Sequence, residues 1–179
     1  MCCDLRGFTA FAAAHTSDQI IALLREYYDA VGAAVVDVEG TIKDYAGDGV
    51  LVLVGAPVPV NDHADRAVRL ARRIRELVGQ VIRNWNDGPA RLGIGVGVAS
   101  GPVTVGVVGG ESRLEYAAVG QAVNLAARLC AQASAGEILL DPATAALAED
   151  SSVDGFSALA PLTLKGFPQA VAALVNAER

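Results

Sequence analysis

Residues 41–54 have the sequence TIKDYAGDGVLVLV, and this stretch decides the fold. Thr41 to Tyr45 and Gly49 to Val54 carry residue types that favour strands, and the small residues between them favour a tight turn. The second strand is apolar almost throughout, which is typical of a central strand covered on both faces. We therefore predict two neighbouring strands of one sheet, with the carboxylate of Asp48 in the turn that joins them.

Two long helices are predicted on either side of this pair of strands. Apolar residues at helical spacing extend from Thr16 to Val38, and Thr16 or Ser17 can cap the start of that helix. A second apolar stripe begins after a cap at Asn61 or Asp62 and reaches about Trp85.

The second half of the chain alternates short strands with helices. The predicted elements are strands at 92–100, 103–108, 115–119 and 138–140, turns at 87–89 and at Gly109-Gly110, a helix at 120–133 with Val123, Ala126, Ala127 and Cys130 inward, a short helix opened by Asp141-Pro142, and strands near 162–165 and 170–175. Several neighbouring strands are joined by hairpins, so the pattern predicts an α+β sandwich with a mostly antiparallel central sheet flanked by helices.

Gly93, Gly95 and Gly97 alternate along one predicted strand. They do not form a dinucleotide-binding loop, because the GxGxxG spacing and the strand–loop–helix context are both missing. Alternate glycines place bare backbone on one face of a strand. We therefore predict that another backbone or a helix approaches that face closely.

The composition indicates one folded domain spanning residues 1–179. The chain has 179 residues, of which 53% are hydrophobic and 19% charged, and its formal net charge is −6. This length supports a core without disulfides, and the apolar share excludes a disordered tail. An acidic chain is a poor general binder of nucleic acid polymers. The longest apolar run is too short to cross a membrane, and no signal peptide precedes the first strand.

The cysteines and histidines exclude several kinds of site. Cys2, Cys3 and Cys130 are odd in number and show no CxxC spacing, so neither a disulfide framework nor a zinc site is indicated. The expected compartment is therefore a reducing cytoplasm. His15 and His63 are the only histidines, which disfavours a histidine metal site or a Ser-His hydrolase.

Two aspartates lie where carboxylates are useful. Asp4 stands between an opening strand and a helix-forming segment, and Asp48 lies in the turn described above. Two such carboxylates on neighbouring strands suit two Mg²⁺ ions and a triphosphate, and the backbone N–H groups after Asp4 suit phosphate oxygens. The alternative is that Asp4 is a helix cap and Asp48 an ordinary turn residue.

Asn124 and Arg128 are four residues apart in a predicted helix and therefore share a face. An amide and a guanidinium on one face can stabilise charge that develops on a phosphoryl oxygen. Taken alone, the pair is better explained as the exposed side of a surface helix.

Together these segments resemble a known family. The matching stretches are Asp4-Leu-Arg-Gly-Phe-Thr9, Gly40-Thr-Ile-Lys-Asp-Tyr-Ala-Gly-Asp48-Gly, Val119-Gly-Gln-Ala-Val-Asn-Leu-Ala-Ala-Arg128-Leu and Leu164-Lys165-Gly166. In this order and across nearly the whole chain, they resemble the catalytic domain of class III nucleotidyl cyclases, the adenylyl and guanylyl cyclases. The resemblance implies a ferredoxin-like α+β fold and a head-to-tail homodimer with active sites at its interface.

The resemblance also implies roles for individual residues. Asp4 and Asp48 match the aspartates that bind two Mg²⁺ or Mn²⁺ ions per site. Gly7, Phe8 and Thr9 match the phosphate-binding turn, and Lys165 matches the lysine that meets the triphosphate. Asn124 matches the residue that orients the ribose, and Arg128 matches the residue that stabilises the transition state. In the family, the asparagine and arginine come from the partner subunit.

The implied activity is conversion of ATP or GTP to the 3′,5′-cyclic nucleotide and pyrophosphate by two-metal in-line attack. The alternative is a catalytically weak, cyclase-like module with a dimerisation, nucleotide-binding or regulatory role.

Two positions that would recognise the base depart from the adenylyl cyclase pattern. Where a lysine is usual the chain has Asp44, with Lys43 one place earlier, and where Asp or Thr is usual it has Ala117. One step along a strand turns a side chain to the opposite face, so Lys43 can replace the usual lysine only if a bulge shifts the register.

The chain has only three residues before Asp4, fewer than the family's first strand normally has. We therefore expect a truncated first strand, in a trimmed chain or in a fragment of a longer signalling protein that has an upstream sensor domain.

Overall fold

The computed structural model describes residues 1–86, 88, 91–110 and 112–177. The helices within them are α1 (Phe8–Ala14), α2 (Ser17–Val36), α3 (His63–Trp85), α4 (Gln121–Gln132) and α5 (Pro142–Leu147). The strands are β1 (Cys2–Arg6), β2 (Thr41–Ala46), β3 (Gly49–Leu53), β4 (Gly93–Val98), β5 (Thr104–Gly110), β6 (Arg113–Val119), β7 (Glu137–Leu140), β8 (Ser157–Leu162) and β9 (Val171–Ala177).

The central sheet contains seven strands in the order β2-β3-β1-β4-β7-β9-β8. Within it, β4 and β7 are parallel and the other neighbours are antiparallel. Strands β5 and β6 form a separate antiparallel ribbon. The predicted α+β fold with a mostly antiparallel sheet flanked by helices is thus confirmed for the part of the chain that the structure describes.

Different helices cover the two faces of the sheet. The sulfur of Cys3 lies 3.4 Å from the hydroxyl oxygen of Tyr27 in α2, whereas Arg6 donates a hydrogen bond to the backbone of Cys130 in α4. Alternate residues of β1 point to opposite faces, so α2 and α4 lie on opposite sides of the sheet. Helix α3 packs beside α2, and together they cover the larger hydrophobic core.

The starts of α2 and α5 follow the capping rules that the sequence suggested. Thr16 and Gln19 form a reciprocal capping box at α2, in which the Gln19 amide donates to the Thr16 hydroxyl and the Thr16 amide donates to the Gln19 side chain. At α5, the Asp141 carboxylate accepts from the Thr144 amide and Pro142 occupies the first turn.

The alternating glycines of β4 allow a close approach, as predicted. A methyl group on Gly97 would overlap the backbone nitrogen of Cys130 and the carbonyl oxygen of Ala126, both in α4. Gly93 faces Ala135 in the same way, and Gly95 faces the guanidinium of Arg6. Helix α4 therefore lies directly on the backbone of the sheet.

Two predictions of turns and strand ends are wrong. Gly109 and Gly110 belong to β5, paired with Leu114 and Arg113, and do not form the hairpin turn. The strand placed near 162–165 ends at Leu162. It cannot continue because the chain turns there, with the Phe167 amide donating to the Leu164 carbonyl and Gly166 at φ 88°.

In α4 the inward face is rotated relative to the prediction. The buried residues are Ala122, Ala126, Leu129 and Cys130, whereas Ala127 is exposed.

The turn expected at 87–89 falls mostly on residues outside those described. Among the described residues, no helix is both long enough and apolar enough to cross a membrane.

We expect Gly97→Ala to destabilise the protein by at least about 2 kcal/mol, because the added methyl group meets helix backbone that cannot move aside cheaply. The measurement is urea unfolding followed by circular dichroism. Gly106→Ala is the matched control, because a Cβ there meets nothing within 4 Å. Equal unfolding midpoints for the two variants would contradict the close packing of α4 on β4.

Candidate functional site

The sheet brings Asp4 and Asp48 together. Asp4 is in the middle of β1 and pairs with Gly49, the first residue of β3. Asp48 immediately precedes Gly49 in the turn between β2 and β3. The two carboxyl groups are consequently close enough to share a hydrogen bond. Both side chains are partly exposed, at the end of the strands where the chain leaves β1.

This proximity changes the proton affinity of the pair. The pKa of Asp48 rises from its ordinary value of 3.8 to about 6, first because burial disfavours the charged form and then because the Asp4 carboxyl hydrogen-bonds to it and repels its charge. The positive charge of Arg6 acts in the opposite direction. Below about pH 6 the free protein can thus retain a proton on Asp48, which relieves the repulsion between the two carboxylates.

The donor set fits a hard divalent cation. Mg²⁺ is commonly bound through one or two carboxylates, with water and substrate phosphate completing its shell. Among the described residues, no group of three or more His, Cys, Asp and Glu side chains surrounds a common point. A cation between Asp4 and Asp48 would therefore depend on phosphate or water oxygens for its other ligands.

Gly7, Phe8 and Thr9 form the turn that follows β1. Gly7 has φ 77°, a left-handed conformation that favours glycine, and a Cβ there would overlap the carbonyl oxygen of Arg91. Phe8 and Thr9 are the first residues of α1, where backbone N–H groups have no partner within the helix. N–H groups without a partner in the helix thus lie four and five residues beyond Asp4 in sequence.

Tyr28 supports the turn that carries Asp48, a role the sequence gave no reason to expect. Its hydroxyl donates to the carbonyl oxygen of Gly47, and its ring lies 4.4 Å from that of Tyr45. Burial and the nearby charge of Asp48 raise the pKa of the Tyr28 hydroxyl, which therefore remains a donor. Helix α2 is in this way connected to the β2–β3 turn.

Strand β2 contains the bulge on which the position of Lys43 depends. Ile42 pairs with Val52 and Asp44 pairs with Leu51, so Lys43 is the extra residue. The Lys43 ammonium lies 2.6 Å from Oε1 of Glu115 in β6 and 3.6 Å from Oδ2 of Asp44. The bulge on which the role of Lys43 was conditional is therefore present, and Lys43 lies beside Asp44 because strict alternation does not hold across a bulge.

Glu115 links these residues to Ala117. The two are separated by two positions in β6, so they share a face of that strand. The hydrogen bond between Lys43 and Glu115 raises the pKa of the lysine and lowers that of the carboxyl group. Sequence reasoning missed Glu115, since its partner is known only once β2 and β6 are adjacent.

Asn124, Arg128 and Lys165 lie apart from the two carboxylates. Asn124 and Arg128 are exposed on the side of α4 that faces away from the sheet, and Lys165 is exposed in the turn before β9. Across the described residues, no hydrogen bond or ion pair joins any of these three to Asp4 or Asp48. One chain thus presents two separate groups of predicted site residues.

The β5–β6 ribbon carries apolar side chains into solvent. Val107, Val108, Leu114 and Val119 are between 54% and 71% exposed. Several exposed large apolar side chains in one short element are typical of a surface that another protein covers.

Comparison with known proteins identifies the family. Residues 1–173 match the model of the adenylate and guanylate cyclase catalytic domain, and the chain belongs to this family. It is 32% identical over 131 residues to adenylate cyclase 1 of Rhizobium meliloti, which covers 70% of this chain and 19% of that protein. The chain spans about a fifth to a third of the length of the curated relatives that it matches.

Solved structures of cyclases share the whole fold. The crystal structure of the adenylyl cyclase CyaB from P. aeruginosa is similar with a TM-score of 0.90 and 28% identity, covering 99% of this chain and 92% of that chain. The guanylate cyclase domain of RhGC from Catenaria anguillulae, in complex with GTP, is similar with a TM-score of 0.81 and 27% identity, covering 99% and 94%.

The raised pKa of Asp48 predicts the pH dependence of stability in metal-free protein. The folded state holds the Asp48 proton up to about pH 6, whereas the unfolded state releases it near pH 3.8. The wild-type protein should therefore lose stability relative to Asp48→Asn as the pH rises from about 4 to about 7. Urea unfolding in the presence of a chelator measures this, with Asp29→Asn on the exposed side of α2 as the control. Parallel stability profiles for wild type and Asp48→Asn would show that the carboxyl pair is not strained.

Proposed function

We propose that this chain is a catalytic domain that converts ATP or GTP to the 3′,5′-cyclic nucleotide and pyrophosphate. The observation that carries the proposal is the contact between the carboxyl groups of Asp4 and Asp48, one short turn away from the free N–H groups of Phe8 and Thr9. Membership of the cyclase family supports this reading of the site. Relatives whose names include adenylate cyclase and guanylyl cyclase leave both nucleotides as candidates.

The site residues have different roles in phosphoryl transfer. Asp4 and Asp48 would hold two Mg²⁺ or Mn²⁺ ions, which supply activation of the ribose 3′-hydroxyl and neutralisation of the departing pyrophosphate. The N–H groups of Phe8 and Thr9 donate to phosphate oxygens, and Lys165 adds a positive charge near the triphosphate.

Asn124 and Arg128 act on the reacting end of the nucleotide. Asn124 orients the ribose so that its 3′-hydroxyl faces the α-phosphorus. The Arg128 guanidinium donates to the α-phosphate oxygens, where negative charge develops in the transition state. No covalent intermediate with the protein is required.

We further propose that the working unit is a homodimer with shared active sites. Asn124 and Arg128 have no described contact with the carboxylates of their own chain, which is expected if they serve the site of a second copy. The apolar side chains of the β5–β6 ribbon offer a surface for that copy to cover. The free thiols Cys2, Cys3 and Cys130 are in keeping with the cytoplasm, which we propose as the compartment.

A second function has some support in the sequence. Asp44 and Ala117 depart from the residues that recognise adenine in adenylyl cyclases, so a weakly active module that binds nucleotide or regulates a partner is the alternative. Release of cyclic nucleotide by the purified chain with Mn²⁺ and with Mg²⁺ distinguishes the two. Nucleotide binding without turnover under both metals would favour the alternative.

Mixing two inactive chains tests both the catalytic roles and the shared site. Asp48→Ala and Arg128→Ala should each abolish turnover, and their mixture should recover it, because one site of the heterodimer then contains every residue. Cyclic nucleotide release is the measurement, and Asp29→Ala and Arg25→Ala are matched controls at exposed positions of α2. A mixture that exchanges subunits but stays inactive would place each site within one chain.

The departures at Asp44 and Ala117 predict weak discrimination between the bases. A good polar match is worth about 1–3 kcal/mol, and the residues that would supply the adenine-specific part are replaced here. The ratio of kcat/KM for ATP to that for GTP, under one metal condition, should therefore stay below about a thousandfold. A larger ratio that disappears in Lys43→Ala would show that the bulged lysine leaves Glu115 and recognises adenine.

A further inference from the structure

Arg6, the last residue of β1, connects two distant parts of the chain. Its Nη1 lies 3.3 Å from Oδ2 of Asp4, and its Nη2 donates a hydrogen bond to the carbonyl oxygen of Cys130 in α4. The same Nη2 lies 3.6 Å from the sulfur of Cys130. A single guanidinium thus joins a candidate metal ligand to the last turn of α4.

The space for this guanidinium is provided by Gly95. Gly95 in β4 pairs with Asp4, and a Cβ on it would lie 2.5 Å from Nη2 and 2.6 Å from Nε of Arg6. Any larger residue at position 95 would displace the side chain. The guanidinium therefore rests on bare strand backbone, in a place that fixes its direction toward α4.

The contact of Arg6 with α4 is electrostatically favourable, but it leaves one N–H group of the guanidinium without a hydrogen bond to any described residue. The carbonyl end of a helix carries partial negative charge, so a cation there is favourable. Nε of Arg6, by contrast, is buried without a hydrogen-bond partner among the described residues. A side chain that served stability alone would gain more from a position where all its N–H groups were paired.

The helix that Arg6 holds also carries the predicted transition-state residues. Arg128 is two residues before Cys130, and Asn124 lies on the same exposed side of α4. A small rotation or shift of α4 would move both side chains together, because the helix is a rigid element. Arg6 is thus placed to set the position of residues that do not touch it.

We propose that Arg6 is a positioning residue that acts on the active site of the partner subunit. By holding α4 against its own sheet, Arg6 determines where Asn124 and Arg128 enter the site formed by the partner's carboxylates. This inference rests on the proposed function, including the homodimer.

A heterodimer with one complete site isolates this effect. The donor chain carries Asp48→Ala and supplies only α4, and the acceptor chain carries Arg128→Ala and supplies only the carboxylates. This pair is the reference. Arg6→Met is then placed on the donor chain or on the acceptor chain, and kcat, KM and the dependence on metal concentration are measured for each.

On the donor chain, Arg6→Met should lower kcat about 10- to 100-fold with a much smaller change in KM, because misplacing catalytic groups affects the chemical step more than nucleotide binding. Arg6→Lys should restore only part of kcat, since an ammonium lacks the planar, fixed set of donors with which the guanidinium reaches Asp4 and Cys130 together. Gly95→Ala on the donor chain should lower kcat as well, although it leaves the charge in place. Arg25→Met on the donor chain is the matched control.

Three results would overturn the inference. Unchanged kcat with Arg6→Met on the donor chain, together with a loss on the acceptor chain, would mean that Arg6 acts only on its own Asp4. A loss of kcat that equals the loss of folded dimer, measured by near-UV circular dichroism and sedimentation, would mean a structural role. An inactive reference heterodimer would refute the shared site itself before Arg6 is changed, and the inference would fail with it.

Discussion

Helix α4 lies directly on the backbone of β4, and much of the candidate site depends on this contact. It is possible only because Gly97 has no side chain, while Gly95 leaves room for the Arg6 guanidinium and Gly93 for Ala135 just after the helix. Protein interiors are packed too densely for a helix to approach this closely over larger residues. The contact brings the last turn of α4 next to β1, and from there one guanidinium reaches both the helix and Asp4.

The carboxylate pair is the second constraint, and it is costly. Burial of Asp48 and the neighbouring carboxyl group of Asp4 raise the pKa of Asp48 and destabilise the charged form of the free protein. The surroundings hold the pair in place despite that cost: Arg6 pairs with Asp4, and Tyr28 bonds the turn that carries Asp48. Strain of this kind is expected where a bound cation, and not the fold alone, balances the charge.

The sequence predicted those parts of the fold that depend on local patterns. The helices α2 and α3, the strands around Asp48 and the close approach at the glycines of β4 all follow from periodicity, caps or the absence of a side chain. It did not predict the ends of β5 and β8, because these are set by pairing with β6 and β9, which no local pattern records.

For the candidate site, the sequence proposed residues but not the contacts between them. The bulge at Lys43 could not be foreseen, because it is defined by the register of β2 against β3. Glu115 and Tyr28 were missed for a similar reason: each acts through a partner more than ten residues away in the chain. The i, i+4 spacing of Asn124 and Arg128 did identify their shared face, although α4 is rotated from the predicted orientation.

The separation of the two groups of site residues follows from the architecture of the sheet. Asp4 in β1 and Asp48 in the turn before β3 lie together where β3 begins, whereas Asn124 and Arg128 point outward from the side of α4 opposite the sheet. Since Ala126 and Cys130 bury the inner side of α4 against β4, the helix cannot turn to present Arg128 to its own carboxylates without losing that packing. Under the proposed function, the same packing that stabilises one chain therefore requires a second copy to complete each site.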